Sequence, residues 1–176
     1  MKILCISGKA QHGKDTTANY LYNELKDKGY KVMITHYADL LKFICSNMFG
    51  WDGKKNEKGR HLLQYVGTDI IRKQKPDYWV DFIISILELF PNEWEYVLIP
   101  DCRFPNEISR LKESGFDTIH IRVVRPNFDN GLTEEAKNHV SETALDDVEY
   151  DFCLENCGNK NYKNNIKELV EKLNCR

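Results

Sequence analysis

A glycine-bounded loop near the N-terminus is the clearest chemical pattern in the sequence. Residues 8–17 match G-x-x-x-x-G-K, with Asp15 where Ser or Thr is usual. The glycines let the backbone curl so that its N–H groups form an anion nest, and Lys14 adds a point charge. A helix that begins directly after the loop adds a favourable dipole. We therefore predict that the loop binds nucleotide phosphates through Gly8, Gly13, Lys14, Asp15, Thr16 and Thr17.

Two carboxylates are candidates for holding a magnesium ion beside those phosphates. Asp101 ends the apolar run Tyr96–Ile99 after Pro100, where phosphate-loop enzymes need a carboxylate to orient magnesium and its waters. The alternative for Asp101 is a solvated acid that opens a turn. Asp15 either holds the ion, directly or through water, or is a first-turn acid that complements the helix dipole. We predict a Mg²⁺ site at Asp15 and Asp101, with ATP as the phosphoryl donor.

Arginines are the candidates for handling the charge of a transferring phosphoryl group. Arg103 would reach the cleft of Asp101, and a guanidinium can grip a phosphate with two hydrogen bonds. Arg60 is a second candidate for the acceptor phosphate, with a solvated helix start as its alternative. Arg122 and Arg125 lie next to a polar segment that begins at Pro126, and Arg125 is the stronger candidate to contact the transferring oxygens. The predicted catalytic set is Lys14, Asp101, Arg103 and Arg125.

Alternating apolar strands and amphipathic helices must position these residues. We predict strands at 2–7, 32–37, 96–99, 118–124 and 151–154, and helices at 14–28, 38–48, 60–73, 76–90 and 104–114, with a further helix at the C-terminus. Residues 51–59 are predicted to form a mobile loop. The helical spacing of Trp79, Phe82, Ile83, Ile86, Leu87 and Phe90 predicts core positions. Strands that alternate with helices predict an α/β fold with a parallel sheet covered on both faces, in a single domain.

Composition excludes several other classes of protein. The chain has 176 residues, 41% of them hydrophobic and 30% charged, as in an ordinary globular protein. A net charge of -2 gives no general attraction to nucleic acid or to an acidic membrane. No run is long and apolar enough to span a bilayer. Six scattered cysteines without a Cys-x-x-Cys pair predict reduced thiols and a cytoplasmic protein, with half a metal site at Cys153 and Cys157 as the minor alternative.

Four segments, in order, resemble the deoxynucleoside monophosphate kinases of the bacteriophage type. The first is the phosphate loop itself. The second is Leu-Gln-Tyr-Val-Gly-Thr-Asp at 63–69 with Tyr-Trp-Val at 78–80. The third is Ile-Pro-Asp-Cys-Arg at 99–103. The fourth is Val-Arg-Pro at 124–126, followed by His-Val-Ser-Glu at 139–142.

This resemblance implies a three-layer P-loop kinase fold with a five-stranded sheet, an acceptor-binding helical region at about 37–90 and a lid at about 126–142. It implies ATP- and Mg²⁺-dependent transfer to a deoxynucleoside monophosphate, with small-molecule nucleotides as partners and a homodimer left open. The resemblance and the local patterns together predict an acceptor-binding set of Asp39, Arg60, Gln64, Gly67, Asp69, Trp79, Arg103, His139, Ser141 and Glu142. Arg122, Asn156 and Gly158 are placed with the ATP-binding residues.

Several of these residues also fit a structural role. Asp39 either contacts a sugar or base, or caps a helix. Gly67 either lines the acceptor pocket or only allows close packing, since glycine inside a helix costs about 1 kcal/mol. Trp79 fits the core at least as well as a pocket wall. The alternative for the segment 139–142 is a helix start capped by Ser141, and Asn156 and Gly158 also suit a plain turn.

Two other functions compete with the main interpretation. Animal-type phosphomevalonate kinases share the Gly-Lys-Asp phosphate loop and a His-x-Ser-Glu element, so the acceptor could be another small phosphorylated metabolite. A regulatory switch of the GTPase kind would need Asn-Lys-x-Asp, and the nearest run, Asn159 to Tyr162, lacks the Asp.

Overall fold

Five parallel strands form one sheet in the described part of the chain, residues 1–54, 56–158 and 160–174 of a computed structural model. The strands are β1 (Lys2–Ser7), β2 (Val32–Ile34), β3 (Tyr96–Ile99), β4 (Asp117–Val124) and β5 (Phe152–Glu155). Their spatial order is β2-β3-β1-β4-β5, so the first strand lies at the centre. The predicted parallel five-stranded sheet is confirmed.

Helices cover both faces of this sheet. They are α1 (Lys14–Asp27), α2 (Tyr37–Met48), α3 (Glu57–Gln64), α4 (Tyr78–Leu89), α5 (Pro105–Glu113), α6 (Glu134–Lys137), α7 (Val140–Thr143) and α8 (Lys160–Asn174). A π-helix, Tyr65–Arg72, continues directly from α3. Each strand is joined to the next by at least one helix, as a parallel sheet requires.

Side chains of β1 alternate between two separate cores. Leu4 and Ile6 pack with α1 and α8, for example with Leu21. Ile3 and Cys5 point to the opposite face and pack with α2, α4 and α5. Because β1 is buried on both faces, its sequence is a continuous apolar run. The three-layer architecture expected from the sequence follows from this alternation.

The region from 57 to 90 differs from the prediction in three ways. The helix begins at Glu57, inside the expected loop, and after Gln64 it continues as a π-helix. This π-helix is the second difference, and within it a Cβ atom on Gly67 would lie 2.6 Å from Leu41 Cδ2 of α2, so glycine is needed for the close packing here. The third concerns Phe82 and Phe90, which are exposed, so their predicted core positions are wrong. The buried stripe of α4 runs instead through Trp79, Val80, Ile83, Ile84 and Leu87.

Five cysteines of the described part of the chain are free, with no disulfide between them. Cys5, Cys45 and Cys102 are buried, whereas Cys153 and Cys157 are exposed. Cys175 lies outside the described residues. Within those residues no group of three or more His, Cys, Asp or Glu side chains could hold a metal ion on its own. No helix among them is long and apolar enough to cross a membrane.

Candidate active site

The phosphate loop joins the end of β1 to the start of α1 and lies at the carboxyl edge of the sheet. Gly8 adopts a φ of +141° and Gly13 a φ of +95°, both in the region that favours glycine. A Cβ atom on Gly8 would overlap the carbonyl oxygen of Val123, and one on Gly13 would overlap the side-chain amide of Asn156. Both glycines are therefore required twice, by their backbone angles and by the close approach of a neighbour.

Lys14 is held at the centre of this loop. Its side chain is almost fully buried, and its ammonium group donates hydrogen bonds to the carbonyl oxygens of Gly8 at 2.6 Å and Lys9 at 2.9 Å. Burial, with a further contribution from the Arg103 guanidinium, lowers the pKa of Lys14 to about 8. The loop therefore holds a positive charge at its centre, and Lys14 loses that charge when the pH rises above about 8.

Asp101 lies at the end of β3, at the same edge of the sheet, and caps α2. Its two carboxylate oxygens accept hydrogen bonds from the backbone N–H groups of Tyr37 at 3.0 Å and Ala38 at 2.9 Å. Burial raises the pKa of Asp101, while the two amides and the nearby His36 oppose the rise. The sequence predicted a magnesium ligand or a turn residue, and did not anticipate that this acid fixes the start of α2.

His36 links two predicted site residues, and the sequence analysis missed it. Its Nε2 atom lies 3.0 Å from the carboxylate of Asp15, and its Nδ1 atom lies 3.3 Å from that of Asp39. The hydrogen bond to Asp15, with the nearby Asp101 and Asp39 carboxylates, raises the pKa of His36 despite its partial burial. Its position two residues after the end of β2, at the carboxyl edge of a parallel sheet, was the signal that could have identified it. Asp39 also pairs with Lys42 at 2.8 Å.

Glu142 contacts the phosphate loop, although the sequence analysis placed it with the acceptor. One carboxylate oxygen accepts a hydrogen bond from the backbone N–H of Ala10 at 2.8 Å, and the other pairs with Arg103. Arg103 also donates to the carbonyl oxygen of Ser141 at 3.0 Å. Burial opposes ionisation of Glu142, but Arg103, the Ala10 amide and Lys14 together lower its pKa. The negatively charged side chain of Glu142 therefore occupies one N–H group of the loop and the guanidinium of Arg103.

Asp146 adds a second acidic contact with the phosphate loop after that of Glu142, and it was not among the predicted site residues. It accepts a hydrogen bond from Lys9 at 2.6 Å and one from Arg122 at 2.8 Å. Arg122 also donates to the carbonyl oxygen of Leu145 at 2.5 Å. Arg122 therefore holds the 145–146 turn against the loop, and an acid repeated four residues after Glu142 was the only sequence signal for Asp146.

His139, rather than Ser141, caps α7. Its Nδ1 atom accepts a hydrogen bond from the backbone N–H of Ser141 at 3.2 Å and lies 2.8 Å from the Ser141 hydroxyl. The alternative that assigned the cap to Ser141 is wrong, because Ser141 lies inside α7 and its own backbone N–H is the group that His139 caps.

A cleft of about 620 Å³ opens between the loop and the predicted lid. The Arg125 guanidinium lies 3.8 Å over the ring of Phe128 within it, and the Arg125 backbone N–H donates to His12 Nδ1 at 3.1 Å. This volume suits part of a nucleotide. Its lining residues are Lys9, His12, Arg125, Asn127, Phe128, Asp129, Asn130, Lys137, Asn138, Glu142, Thr143 and Asp146.

Asn156 supports the loop from the neighbouring strand end. Its side-chain amide donates to the carbonyl oxygen of His12 at 2.9 Å, and its side-chain oxygen accepts from the backbone N–H of Gly158 at 3.2 Å. Asn156 therefore contacts the phosphate loop, and Gly158 belongs to the turn that Asn156 holds after β5.

The acceptor-side candidates are less closely grouped. Arg60, Gln64 and Asp69 are exposed on α3 and the π-helix. Trp79 is 4% exposed, and its indole N–H donates to the carbonyl oxygen of Gly67 at 3.2 Å. The indole ring is packed among apolar neighbours, which agrees with the core alternative for Trp79, and its acceptor role stays a prediction. Gly67 meets the close-packing alternative, with Leu41 against it.

The candidate acids fit a magnesium ion that is bound mainly by phosphates and water. Asp15 has a side chain that is 78% exposed, so an oxygen ligand is accessible beside the loop. Asp101 presents a second carboxylate close enough to interact with Lys14. Magnesium usually keeps several waters and takes one or two carboxylates together with substrate phosphates, so two acids are sufficient.

A phosphate loop with a buried lysine, at the carboxyl edge of a parallel sheet with this strand order, is the arrangement of the P-loop kinase fold. Two solved structures share this fold. An APS kinase of Mycobacterium tuberculosis, solved with AMPPNP and APS, matches with a TM-score of 0.58 and 14% identity over 98% of this chain and 97% of that one. A shikimate kinase from Bacteroides thetaiotaomicron matches with a TM-score of 0.50 and 8% identity over 97% of both chains.

The chain belongs to the deoxynucleotide monophosphate kinase family, whose sequence model matches residues 33–172. The deoxynucleotide monophosphate kinase of Enterobacteria phage T4 is 31% identical over 116 residues, which are 65% of this chain and 43% of the phage protein. A second relative, described as a putative deoxynucleotide monophosphate kinase of Acanthamoeba polyphaga mimivirus, is 28% identical over 183 aligned positions, 89% of each chain. The chain thus spans less than half the length of the phage relative.

Proposed function

We propose that this protein transfers the γ-phosphoryl group of ATP to a deoxynucleoside monophosphate, giving the diphosphate and ADP. The observation that carries the proposal is that the family match begins at residue 33, after the phosphate loop. The donor loop at 8–17 and the family's later segments are therefore independent evidence, and the fold brings both to one edge of the sheet. Arg103 is the direct link, because it follows β3 and reaches the segment that contacts the loop.

The residues act by positioning and charge. The loop amides and Lys14 hold the donor phosphates, and Arg103 holds the acceptor phosphate opposite them. An oxygen of the acceptor phosphate forms a bond to the γ-phosphorus as the bond to the bridging oxygen of ADP breaks. Arg125 and Arg122, beside the lid, stabilise the charge that spreads over the transferring oxygens. No proton need be abstracted, since the acceptor phosphate is already anionic.

Asp15 and Asp101 would hold a magnesium ion at the donor phosphates. The ion would neutralise phosphate charge and orient the triphosphate. The half-buried His36 connects Asp15 to Asp39, so the same acids would align the donor side with the start of α2, where we place the acceptor's sugar or base.

A spectrophotometric assay of ADP formation tests the proposal. The acceptors would be the common deoxynucleoside and ribonucleoside monophosphates and phosphomevalonate, with ATP and magnesium. Lys14→Ala should abolish turnover, because it removes the charge at the loop's centre. The matched control is Lys28→Ala. Lys28 lies just after the end of α1, on the surface, and pairs with Glu171 of α8.

Each outcome separates the candidate functions. Turnover on a deoxynucleotide that is lost in Lys14→Ala and kept in Lys28→Ala supports the proposal. Turnover on phosphomevalonate alone keeps the mechanism and replaces the acceptor. Nucleotide binding with no acceptor-dependent turnover overturns the kinase proposal and favours a regulatory switch.

We also propose that the protein acts in the cytoplasm on small-molecule nucleotides. The exposed thiols of Cys153 and Cys157 and the small negative net charge support this setting. Fractionation of cells that express the tagged chain would test it, and recovery in a membrane or extracellular fraction would contradict it.

A further inference from the structure

Glu107 lies at the start of α5 and joins two parts of the molecule. Its carboxylate is almost fully buried, with 2% of the side chain exposed. One oxygen accepts the backbone N–H groups of Arg103 at 2.7 Å and Phe104 at 3.0 Å. The other accepts a hydrogen bond from the Arg72 guanidinium at 2.6 Å. A single carboxylate thus holds the loop that carries Arg103 and the end of the π-helix.

Arg72 is itself fixed from several sides. Its guanidinium lies 3.9 Å over the ring of Phe104, and one of its nitrogens donates to the carbonyl oxygen of Pro76 at 3.3 Å. Asn106, next to Glu107, donates to the same carbonyl oxygen at 3.0 Å and to the Asp77 carboxylate at 2.8 Å. The segment that leads from the π-helix into α4 is therefore docked onto the first turn of α5.

We propose that Glu107 is a positioning residue. It fixes the position of the π-helix, on the acceptor side, relative to Arg103. The inference rests on the proposed function, in which Arg103 holds the acceptor phosphate. Among the described residues, the Glu107 side chain makes its hydrogen bonds to Arg72, Arg103 and Phe104 and none to the phosphate loop. Its loss should therefore impair use of the acceptor and leave donor binding unchanged.

Helix capping alone does not account for this arrangement. An acid in the first turn needs only backbone N–H groups as partners, and Glu107 has two of these already. The added ion pair is buried on both sides, with 14% of the Arg72 side chain exposed. A buried ion pair is often no more stabilising than apolar residues of the same volume. What it does supply is a defined geometry between the two elements that it joins.

The test compares Glu107→Gln and Arg72→Lys with a matched control on the same helix. Arg110→Gln is that control, because Arg110 pairs with Asp81 of α4 at 2.9 Å on the surface and also links α5 to the acceptor region. The readouts are kcat, the KM for the acceptor deoxynucleotide, the dissociation constant of ATP by calorimetry, and the unfolding midpoint.

For Glu107→Gln we expect kcat/KM for the acceptor to fall at least about tenfold while ATP binding stays within about twofold, since misplacing a substrate by 1 Å can cost about 100-fold. Arg72→Lys keeps the positive charge but loses the planar guanidinium. Its kcat/KM for the acceptor should therefore fall less than that of Glu107→Gln. Arg110→Gln should match the wild type in all kinetic constants.

Three results would overturn the inference. A Glu107→Gln enzyme with a lower unfolding midpoint but wild-type kcat/KM would leave only a structural role. Equal losses in ATP binding and acceptor use would show no bias to the acceptor side. If Glu107→Gln does not fold, a wild-type kcat/KM for the acceptor in Arg72→Lys would also overturn the inference. A wild-type protein without turnover would overturn the proposed function itself, whereas an active wild type with these variant results overturns the inference alone.

Discussion

Lys14 combines a buried ammonium group with a site that needs its charge. Two carbonyl oxygens of the loop accept its hydrogen bonds, yet burial still brings its pKa down to about 8. A bound triphosphate would stabilise the charged form and raise that pKa again. The protonation state of Lys14 and nucleotide binding are therefore linked.

We expect ATP affinity to fall as the pH rises above about 8, because the unbound protein then loses the Lys14 proton. Below that pH the ammonium is already charged, so affinity should be level down to the pH at which the phosphates are protonated. Calorimetry in two buffers of different ionisation enthalpy should detect proton uptake on binding at pH 8.5. Lys14→Ala should bind weakly with no such uptake; affinity that is unchanged up to pH 9.5 would contradict this account.

Several residue-scale features were predictable because they follow from backbone chemistry. The requirement for Gly8 and Gly13 and the central position of Lys14 come from the loop pattern alone. His36, Asp146 and Glu107 were not predicted, because each acts through a partner distant in the chain. Glu107 did carry a local signal, since Pro105 and an acid two residues later mark a helix start, but nothing local indicates Arg72 as its partner.

At the scale of elements, the segment 139–146 is clasped onto the phosphate loop by acids. Glu142 accepts the Ala10 amide and pairs with Arg103, while Asp146 pairs with Lys9 and Arg122. Backbone amides, lysines and arginines are also the groups that donate hydrogen bonds to bound phosphates. Nucleotide binding must therefore compete with the protein's own carboxylates.

Glu142→Gln should accordingly tighten ATP binding by roughly tenfold, about the free energy of one charge-assisted contact. The neutral amide keeps a hydrogen-bond acceptor for Ala10 but removes a negative charge near Lys14 that would repel the donor phosphates. Calorimetric titration with ATP measures the effect, and Glu135→Gln, an exposed acid of α6, is the control. Weaker ATP binding in Glu142→Gln would mean that Glu142 serves the nucleotide directly.

The helices of the acceptor region show where sequence patterns are insufficient. A period of 3.6 predicted one regular helix at 60–73, but the fit of Gly67 against Leu41 accompanies a π-helix instead. On α4 the same period identified a buried stripe and misplaced its edge, so Phe82 and Phe90 were assigned to the core. Tertiary packing decides both cases, and a single sequence does not record it.

At the scale of the whole molecule, His120 ties the central strands to a distant turn. The buried imidazole of β4 lies with Nε2 2.7 Å from the hydroxyl of Ser7 in β1 and with Nδ1 2.8 Å from the carbonyl oxygen of Glu149. A carbonyl oxygen only accepts, so Nδ1 carries the proton and Ser7 donates to Nε2. Burial lowers the pKa of His120 from its ordinary value of 6.5.

This lowered pKa should make the fold less stable in mild acid. The unfolded chain binds a proton at His120 as the pH falls through 6.5, whereas the folded chain binds it only at a lower pH, so the contribution is complete above pH 6.5 and declines below it. Urea unfolding at pH 7.5 and 5.5 measures the decline. His120→Gln removes this titration but not those of the other histidines, so its decline should be smaller; an equal decline would refute the assignment.

The fold class was predictable because a parallel sheet leaves a global pattern of apolar runs separated by helices. The order of the strands was not, since any of several right-handed arrangements would give the same pattern. In the same way, the sequence placed Asp101 and the phosphate loop at strand ends, but only the strand order makes β1 and β3 neighbours.

The central position of β1 also sets when this chain can acquire its structure. Lys2 is paired with Tyr96 on one side and with Asp117 on the other, so the first strand has no neighbour until long stretches of later sequence exist. Contacts between residues so far apart in the chain make folding slow and late. During synthesis the apolar run of β1 must stay unpaired until β3 and β4 have left the ribosome, and a chain cut short before β4 would be prone to aggregate.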